Sequence, residues 1–259
     1  MKQLKALGQV FLEDKTYLQS IIDATAIRPE DQILEVGPGQ GVLTNALLEK
    51  GVKVLAIEKD PRMVDYLKLN IKNPNFQVIE GDIREVYSEI IKDIQTPFKI
   101  AANIPYYLTS FLIRIILESN PKPDNCVLMI QQEVADRLIA KHNKESILSL
   151  SVKYFGSVEY IIKVPRTAFK PQPKVDSAIV RIIPNRKEVD KEFTDKFFQV
   201  VKIGFSHPRK FVLSNLKNGV SQNKEIFEQI FKDLDIPIKS RAEDLEIETW
   251  MNITKKLSQ

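Results

Sequence analysis

The sequence predicts an α/β fold: an open, mainly parallel sheet with helices on both faces, followed by a small all-helical C-terminal part. Three observations predict it. Short apolar runs suited to buried strands alternate with stretches of helical period from residue 14 to residue 130. Gly37, Gly39 and Gly41, three of only nine glycines in 259 residues, cluster directly after the first strand run. Beyond Pro184-Asn185 the remaining patterns are helical.

Taken in order, strands are expected at 32–36, 53–57, 76–80, 98–102 and 126–130, and helices at 14–26, 42–50, 61–72, 83–93 and 107–118. Asp60-Pro61 opens the third helix, with Asp as cap and Pro in the first turn. After residue 185, helices are expected at 191–203, 209–216, 224–234 and 246–256, with Pro208 and Pro237 as breaks. The domain expectation is therefore 1–184 for the sheet domain and 185–259 for the helical one. No internal repeat or low-complexity tract interrupts this reading.

In such a sheet the carboxyl ends of the strands line one crevice, and the informative residues fall there. Glu35-Val36-Gly37-Pro38-Gly39-Gln40-Gly41 follows the first strand, where glycine lets backbone approach a ligand closely. Glu58 ends the second strand, at the spacing where an acidic residue holds a ribose diol. Asp82 follows the third, and Asn103-Ile104-Pro105-Tyr106-Tyr107 follows the fourth. An amide, a rigid proline and aromatic rings at a strand end suit a flat amino-heterocycle, gripped by stacking while its exocyclic amine donates to the Asn103 side chain and a neighbouring carbonyl. Each residue also has a plainer reading: Asn103 as a helix cap, Tyr106 as core, Glu58 and Asp82 as solvated carboxylates.

Gly-x-Gly-x-Gly with the later Asp82 resembles the S-adenosylmethionine site of class I methyltransferases, whose Rossmann-like sheet matches the predicted order. Dinucleotide enzymes favour a glycine where this chain has Val42. Leu7-Gly8-Gln9-Val10-Phe11-Leu12 resembles the Gly-Gln-Asn-Phe-Leu entry motif of the KsgA family, the small-subunit rRNA adenine dimethyltransferases. The segment Phe169-Lys170-Pro171-Gln172-Pro173-Lys174-Val175-Asp176-Ser177-Ala178 resembles their late loop, and Arg209-Lys210 and Arg241-Ala242-Glu243-Asp244-Leu245 extend the likeness toward the C-terminus. Position 10 is Val where the family usually has Asn, so Gln9 and Leu12 carry over and a polar contact from position 10 does not. The pair Tyr-Gly often found ahead of Leu-Ser-Val is missing near Ser149-Leu150-Ser151.

The resemblance implies methyl transfer from S-adenosylmethionine to the amine of two adjacent adenosines near the 3′ end of small-subunit rRNA. It implies that Gln9, Leu12, Gly37, Gly39, Glu58, Asp82 and Asn103 hold the cofactor, Glu58 at the ribose and Asp82 at the adenine amine. Asn103, the Ile104 carbonyl, Pro105 and Tyr106 would serve the target base, with Phe169 closing its other face or, in the plainer reading, packing as core. The family fold also implies an antiparallel closing edge from 152–155 with 160–164 and 178–183. The partner implied is small-subunit rRNA in a pre-ribosomal particle, bound by a monomer.

Composition agrees with an enzyme of this kind. Hydrophobic residues are 43% and charged residues 28%, the balance of a water-soluble globular chain. No apolar run approaches a membrane span and the N-terminus lacks a signal-like core, so a cytoplasmic location is expected. Cys126 is the one cysteine, in a strand-like run, and His142 and His207 are the two histidines, so no metal site is expected. The net charge of +4 is modest, but basic residues gather at Lys2 and Lys5, Lys141 and Lys144, Arg166, Lys170 and Lys174, and Lys202, Arg209 and Lys210, a pattern suited to phosphate contacts. Scattered solubilising charge is the alternative. Three further classes compete. An inactive RNA-binding or assembly factor would have lost Glu58, Asp82 or Asn103, all present here. A DNA adenine methyltransferase would need a larger recognition region. A large-subunit rRNA methyltransferase shares the chemistry.

Overall fold

The computed structural model describes residues 11–12, 14–94, 97–186, 190–219 and 225–258. These fall into two compact units, one within Met1–Ala135 and Phe155–Asn185, the other within Asp136–Tyr154 and Arg186–Gln259. The division is not a single cut near residue 184, because 136–154 clusters with the C-terminal helices.

The chain runs β1 (Phe11–Leu12), α1 (Lys15–Thr25), β2 (Gln32–Val36), α2 (Val42–Leu48), β3 (Lys53–Glu58), α3 (Pro61–Asn70), β4 (Phe76–Glu80), α4 (Ile83–Asp93), β5 (Phe98–Asn103), α5 (Thr109–Glu118) and β6 (Cys126–Gln131). It continues through α6 (Gln132–Leu138) and α7 (Ile147–Phe155) to β7 (Gly156–Val164), β8 (Phe169–Lys170) and β9 (Ser177–Pro184). The main sheet has seven strands in the order β4-β3-β2-β5-β6-β9-β7. β2 to β6 are parallel, and β9 lies antiparallel between β6 and β7. The order reverses between β2 and β5, which places the crevice of the sheet at the carboxyl ends of those two strands.

Residues 152–155 are the last turn of α7, not part of the closing edge, which β7 and β9 form alone. Two serines start that helix by serving each other: Ser149 N donates to Ser146 Oγ at 3.0 Å and Ser146 N to Ser149 Oγ at 2.7 Å. Their local hydrogen bonds outweigh the strand-like look of the apolar run that follows.

The end of α1 shows how the sheet holds its helices. The last carbonyls of a helix have no partner within it. Here Arg181 Nη1 donates to Ala24 O at 3.3 Å, Asn125 Nδ2 to Thr25 O at 3.1 Å, and Lys99 Nζ to Ala26 O at 2.5 Å. Positive side chains also suit the negative end of the helix dipole. Lys99 is 4% exposed, and its ammonium meets the 5% exposed Asp31 at 2.5 Å.

Beside α1, in the same core cluster, α2 docks through a polar contact. Thr44 Oγ1 donates to Glu35 Oε2 at 2.7 Å, both residues being buried. Burial pushes the Glu35 carboxyl up to about 8; the Thr44 hydrogen bond opposes this and the charge of Glu58 adds to it.

In the second unit, α8 (Lys191–Gly204), α9 (Val212–Gly219), α10 (Glu225–Asp233) and α11 (Ile247–Lys256) pack around Phe197, Phe227, Phe231 and Trp250. A Cβ on Gly204 would lie 2.2 Å from the Trp250 ring, so glycine is required for α8 to pass the indole. The helix expected at 209–216 begins only at Val212. Asn215, buried, donates from Nδ2 to Gly204 O at 2.6 Å and His207 O at 3.1 Å, which holds the intervening chain as a turn. Lys141 and Lys144, read from the sequence as part of a pattern suited to phosphate contacts, pair with Asp136 and with Asp244 and Glu243. Arg209 and Lys210 are exposed and form no ion pair among the described residues.

Replacing Lys99 by Met leaves Asp31 buried without its counter-charge, and the expected loss of stability is about 3–5 kcal/mol, read from urea unfolding. Glu35 gives a pH signature. Its carboxyl is raised in the folded state, so its contribution is fully present below its ordinary value of 4.5 and is lost as pH rises toward about 8. The unfolding free energy of Glu35→Gln relative to the parent should therefore increase across that window; a constant difference would contradict the buried, protonated carboxyl.

Candidate active site

Parallel pairing puts Val36 opposite Ile57 and Glu58 opposite Glu80, so the turns after β2, β3, β4 and β5 meet at one level. One cavity opens there. Leu12, Gly37, Gly39, Glu58, Asp82 and Asn103 line it, together with Ile104, Pro105 and Tyr106. All the expected site residues among those described share this wall except Phe169. Gln9 lies outside the described residues.

The glycine turn is shaped by its own backbone. Gly37 has φ +69° and Gly39 φ +55°, conformations that side chains disfavour. Gly37 N donates to Ile57 O at 2.9 Å, and a Cβ on Gly37 would stand 3.8 Å from Pro105 Cδ. The glycine turn and the Asn-Ile-Pro-Tyr segment thus face each other across the switch point.

Glu58 joins the turns after β2 and β3. It is 7% exposed; Oε2 accepts from Gly39 N at 3.1 Å and Oε1 from Asp60 N at 2.9 Å. Each carboxylate oxygen has two lone-pair positions, so one remains on each for the paired hydroxyls of a ribose. That donor set fits the nucleoside part of S-adenosylmethionine.

Asp82 is more heavily engaged than its sequence context suggests. It caps α4 by accepting Arg84 N at 3.0 Å, and its carboxylate also takes Arg84 Nε at 2.9 Å and Lys59 Nζ at 2.8 Å. The Arg84 guanidinium, helped by Lys59, holds the Asp82 carboxyl well below the usual carboxylate range against a smaller effect of burial. Asp60-Pro61-Arg62 repeats the arrangement at the start of α3, with Asp60 accepting Arg62 N at 3.1 Å and Nε at 2.9 Å. Both aspartates line the cavity. The recurring Asp-x-Arg after a strand is the signal that would have revealed this pair.

At the end of β5, Ile104 is buried and anchors the segment, while the Asn103 side chain has no hydrogen-bond partner among the described residues. Tyr106 starts a single 3-10 turn, Tyr106–Leu108, in which Leu108 N donates to Pro105 O at 3.0 Å. Its phenol shares a 2.9 Å hydrogen bond with Ser177 Oγ, and burial raises its pKa. Ser177 was visible in sequence only as part of the late loop.

Phe169 stands apart. It is 3% exposed and belongs to the core with Leu12, Val164 and Ile179. Its strand pairs with β1, Leu12 opposite Phe169, and it does not line the cavity. In this structure it packs as a core aromatic, the plainer of its two readings, where the short β1–β8 ribbon buries it.

The family model for ribosomal RNA adenine dimethylase matches residues 1–259. The ribosomal RNA small subunit methyltransferase A of Dehalococcoides mccartyi is 38% identical over 255 residues, 98% of this chain and 88% of that protein. Its counterpart in Bacillus mycoides is 38% identical over 266 residues, with 98% and 90% covered. Among solved structures, a dimethyladenosine transferase from Plasmodium falciparum aligns with TM-score 0.75 at 29% identity, covering 95% of this chain and 98% of that one. The 23S rRNA methyltransferase ErmE aligns with TM-score 0.76 at 25% identity, covering 96% and 100%. A match over the whole length, on a cavity whose carboxylate and glycine turn fit S-adenosylmethionine, means that this chain belongs to the ribosomal RNA adenine dimethylase family and is an S-adenosylmethionine-dependent adenine dimethyltransferase.

Proposed function

We propose that this enzyme dimethylates two adjacent adenosines near the 3′ end of small-subunit rRNA, acting as a cytoplasmic monomer on a pre-ribosomal particle. The observation that carries the reading is Asn103: an amide with no hydrogen-bond partner among the described residues, on the wall of the nucleoside cavity, next to Tyr106 and across from the glycine turn. The 38% identity to small-subunit enzymes supports that RNA over the large-subunit one. The C-terminal unit is proposed to bind RNA, with Arg209 and Lys210 as phosphate contacts.

S-adenosylmethionine supplies a methyl group made electrophilic by its sulfonium. Glu58 accepts the ribose hydroxyls, and Gly37 and Gly39 let backbone lie close to the methionine part. Leu12 covers an apolar edge. Asp82 accepts the adenine amine of the cofactor in exchange for Lys59, the more exposed of its two cations at 53% against 46% for Arg84. The Asn103 side-chain carbonyl and the Ile104 carbonyl accept the protons of the target amine, which holds its nitrogen lone pair out of the ring and toward the methyl. Pro105 fixes the turn and Tyr106 stacks on the base. Once methylated, the amine is acidic enough to lose its proton to water, so no strong general base is needed.

The function is tested by tritiated methyl incorporation into small subunits lacking the modification, with large subunits and DNA in parallel. Label is expected in the small subunits; label confined to large subunits or DNA would overturn the substrate. Asn103→Ala should lower the rate on the order of a hundredfold or more while sparing fold and most cofactor binding. Glu58→Ala should weaken S-adenosylmethionine binding by about 1.5–3 kcal/mol in calorimetry, and unchanged affinity would remove Glu58 from the site.

A further inference from the structure

Tyr106 and Ser177 are 71 positions apart, yet the phenol and the hydroxyl share a hydrogen bond of 2.9 Å. The two ends of that bond differ in character. Ser177 is fully buried and is the first residue of β9, where its backbone stands opposite Gln131 at the end of β6 and Val164 at the end of β7. Asp176 beside it is also tied down: its side chain accepts Arg166 N at 3.0 Å and pairs with Lys163 at 2.8 Å, and its carbonyl accepts Gln132 N at 3.0 Å. Ser177 Oγ is therefore a fixed point of the sheet.

Tyr106 sits on a shorter element. It lies in one turn of 3-10 helix, half-buried on the cavity wall. A tyrosine ring turns about two side-chain torsions, and the second of these is broad. Holding the phenol oxygen sets the first torsion and the place of the ring; the oxygen lies on the axis of the second, about which the preference of the conjugated O–H for the ring plane then favours one direction of the ring face. Burial, with the nearby charge of Asp176 acting in the same sense, keeps the phenol neutral and able to share this hydrogen bond.

We propose that Ser177 is a positioning residue for methyl transfer, fixing the Tyr106 ring through its hydroxyl so that the ring presents its face to the target adenine. The proposal rests on the reading that Tyr106 stacks on that base. It gives a residue outside the cavity wall, at the start of β9, a bearing on the reacting group. Sub-ångström placement of a reacting base has large effects on rate.

The test uses the full-length protein, small subunits lacking the modification and S-adenosylmethionine, and compares Ser177→Ala, Tyr106→Phe and the double variant. Each single variant removes the same hydrogen bond from one side, and Tyr106→Phe does so at a half-buried position should Ser177→Ala fail to fold. The single-turnover methyl-transfer rate is expected to fall on the order of tenfold in each, with the calorimetric affinity for S-adenosylmethionine unchanged. The double variant should be no slower than the slower single one. Wild-type rates in both single variants, losses that multiply in the double variant, or a parallel loss of cofactor affinity would each overturn the proposal. Tyr106→Ala separates the proposal from its premise. If that variant retains full rate, the stacking reading itself fails; if it is inactive while the hydrogen-bond variants are normal, only the role of Ser177 is lost.

Discussion

The carboxylate of Glu58 holds two turns at once, and the geometry of the cavity depends on it. Its two oxygens take the N–H groups of Gly39 and Asp60, which belong to the turns after β2 and β3. Because the carboxylate is buried, these charge-assisted bonds are stronger than their counterparts in water. The glycine turn therefore keeps its left-handed backbone while remaining open enough for a ligand. The parallel register supplies the rest, since it brings Gly37, Glu58, Asp82 and Asn103 to the same end of the sheet.

Charge around the cavity is arranged by local pairing more than by overall balance. Asp60 and Asp82 each cap a helix and each grip an arginine two residues on. Asp82 is thereby kept ionised, ready to accept from a donor but already shared with Arg84 and Lys59. Glu35 behaves in the opposite way: burial drives it toward its neutral form, against the hydrogen bond from Thr44. Burial at Glu35 and the arginine partner at Asp82 thus push two acidic residues of one cavity wall in opposite directions.

The base side of the cavity is built differently. Ile104 is buried and Pro105 is rigid, so the Asn103 amide is carried on a stiff support with no hydrogen bond to give up among the described residues. Tyr106 sits on a single 3-10 turn, and its hydrogen bond reaches across to β9. The proposed recognition of an adenine by amide and ring would then join parts of the chain that are remote in sequence but adjacent in the sheet.

The five parallel strands and their helices could be read in the sequence because they rest on local patterns: period, capping aspartates and the cluster of glycines. The residues of the cavity were legible for the same reason, each sitting just after a strand. What escaped was decided by contacts between distant segments. Residues 152–155 look like a strand but are held in a helix begun by Ser146 and Ser149. Phe169 has the sequence setting of a stacking residue, yet pairing of β8 with β1 buries it in the core. Ser177 has no sequence mark of its own, and only the antiparallel insertion of β9 brings its hydroxyl to Tyr106. By itself the sequence determined the elements and the residues at their ends, because backbone preference and hydrophobic period act over a few residues. Which of those residues meet, and which are covered, only the tertiary structure decided, because burial and pairing depend on what the rest of the chain places beside them.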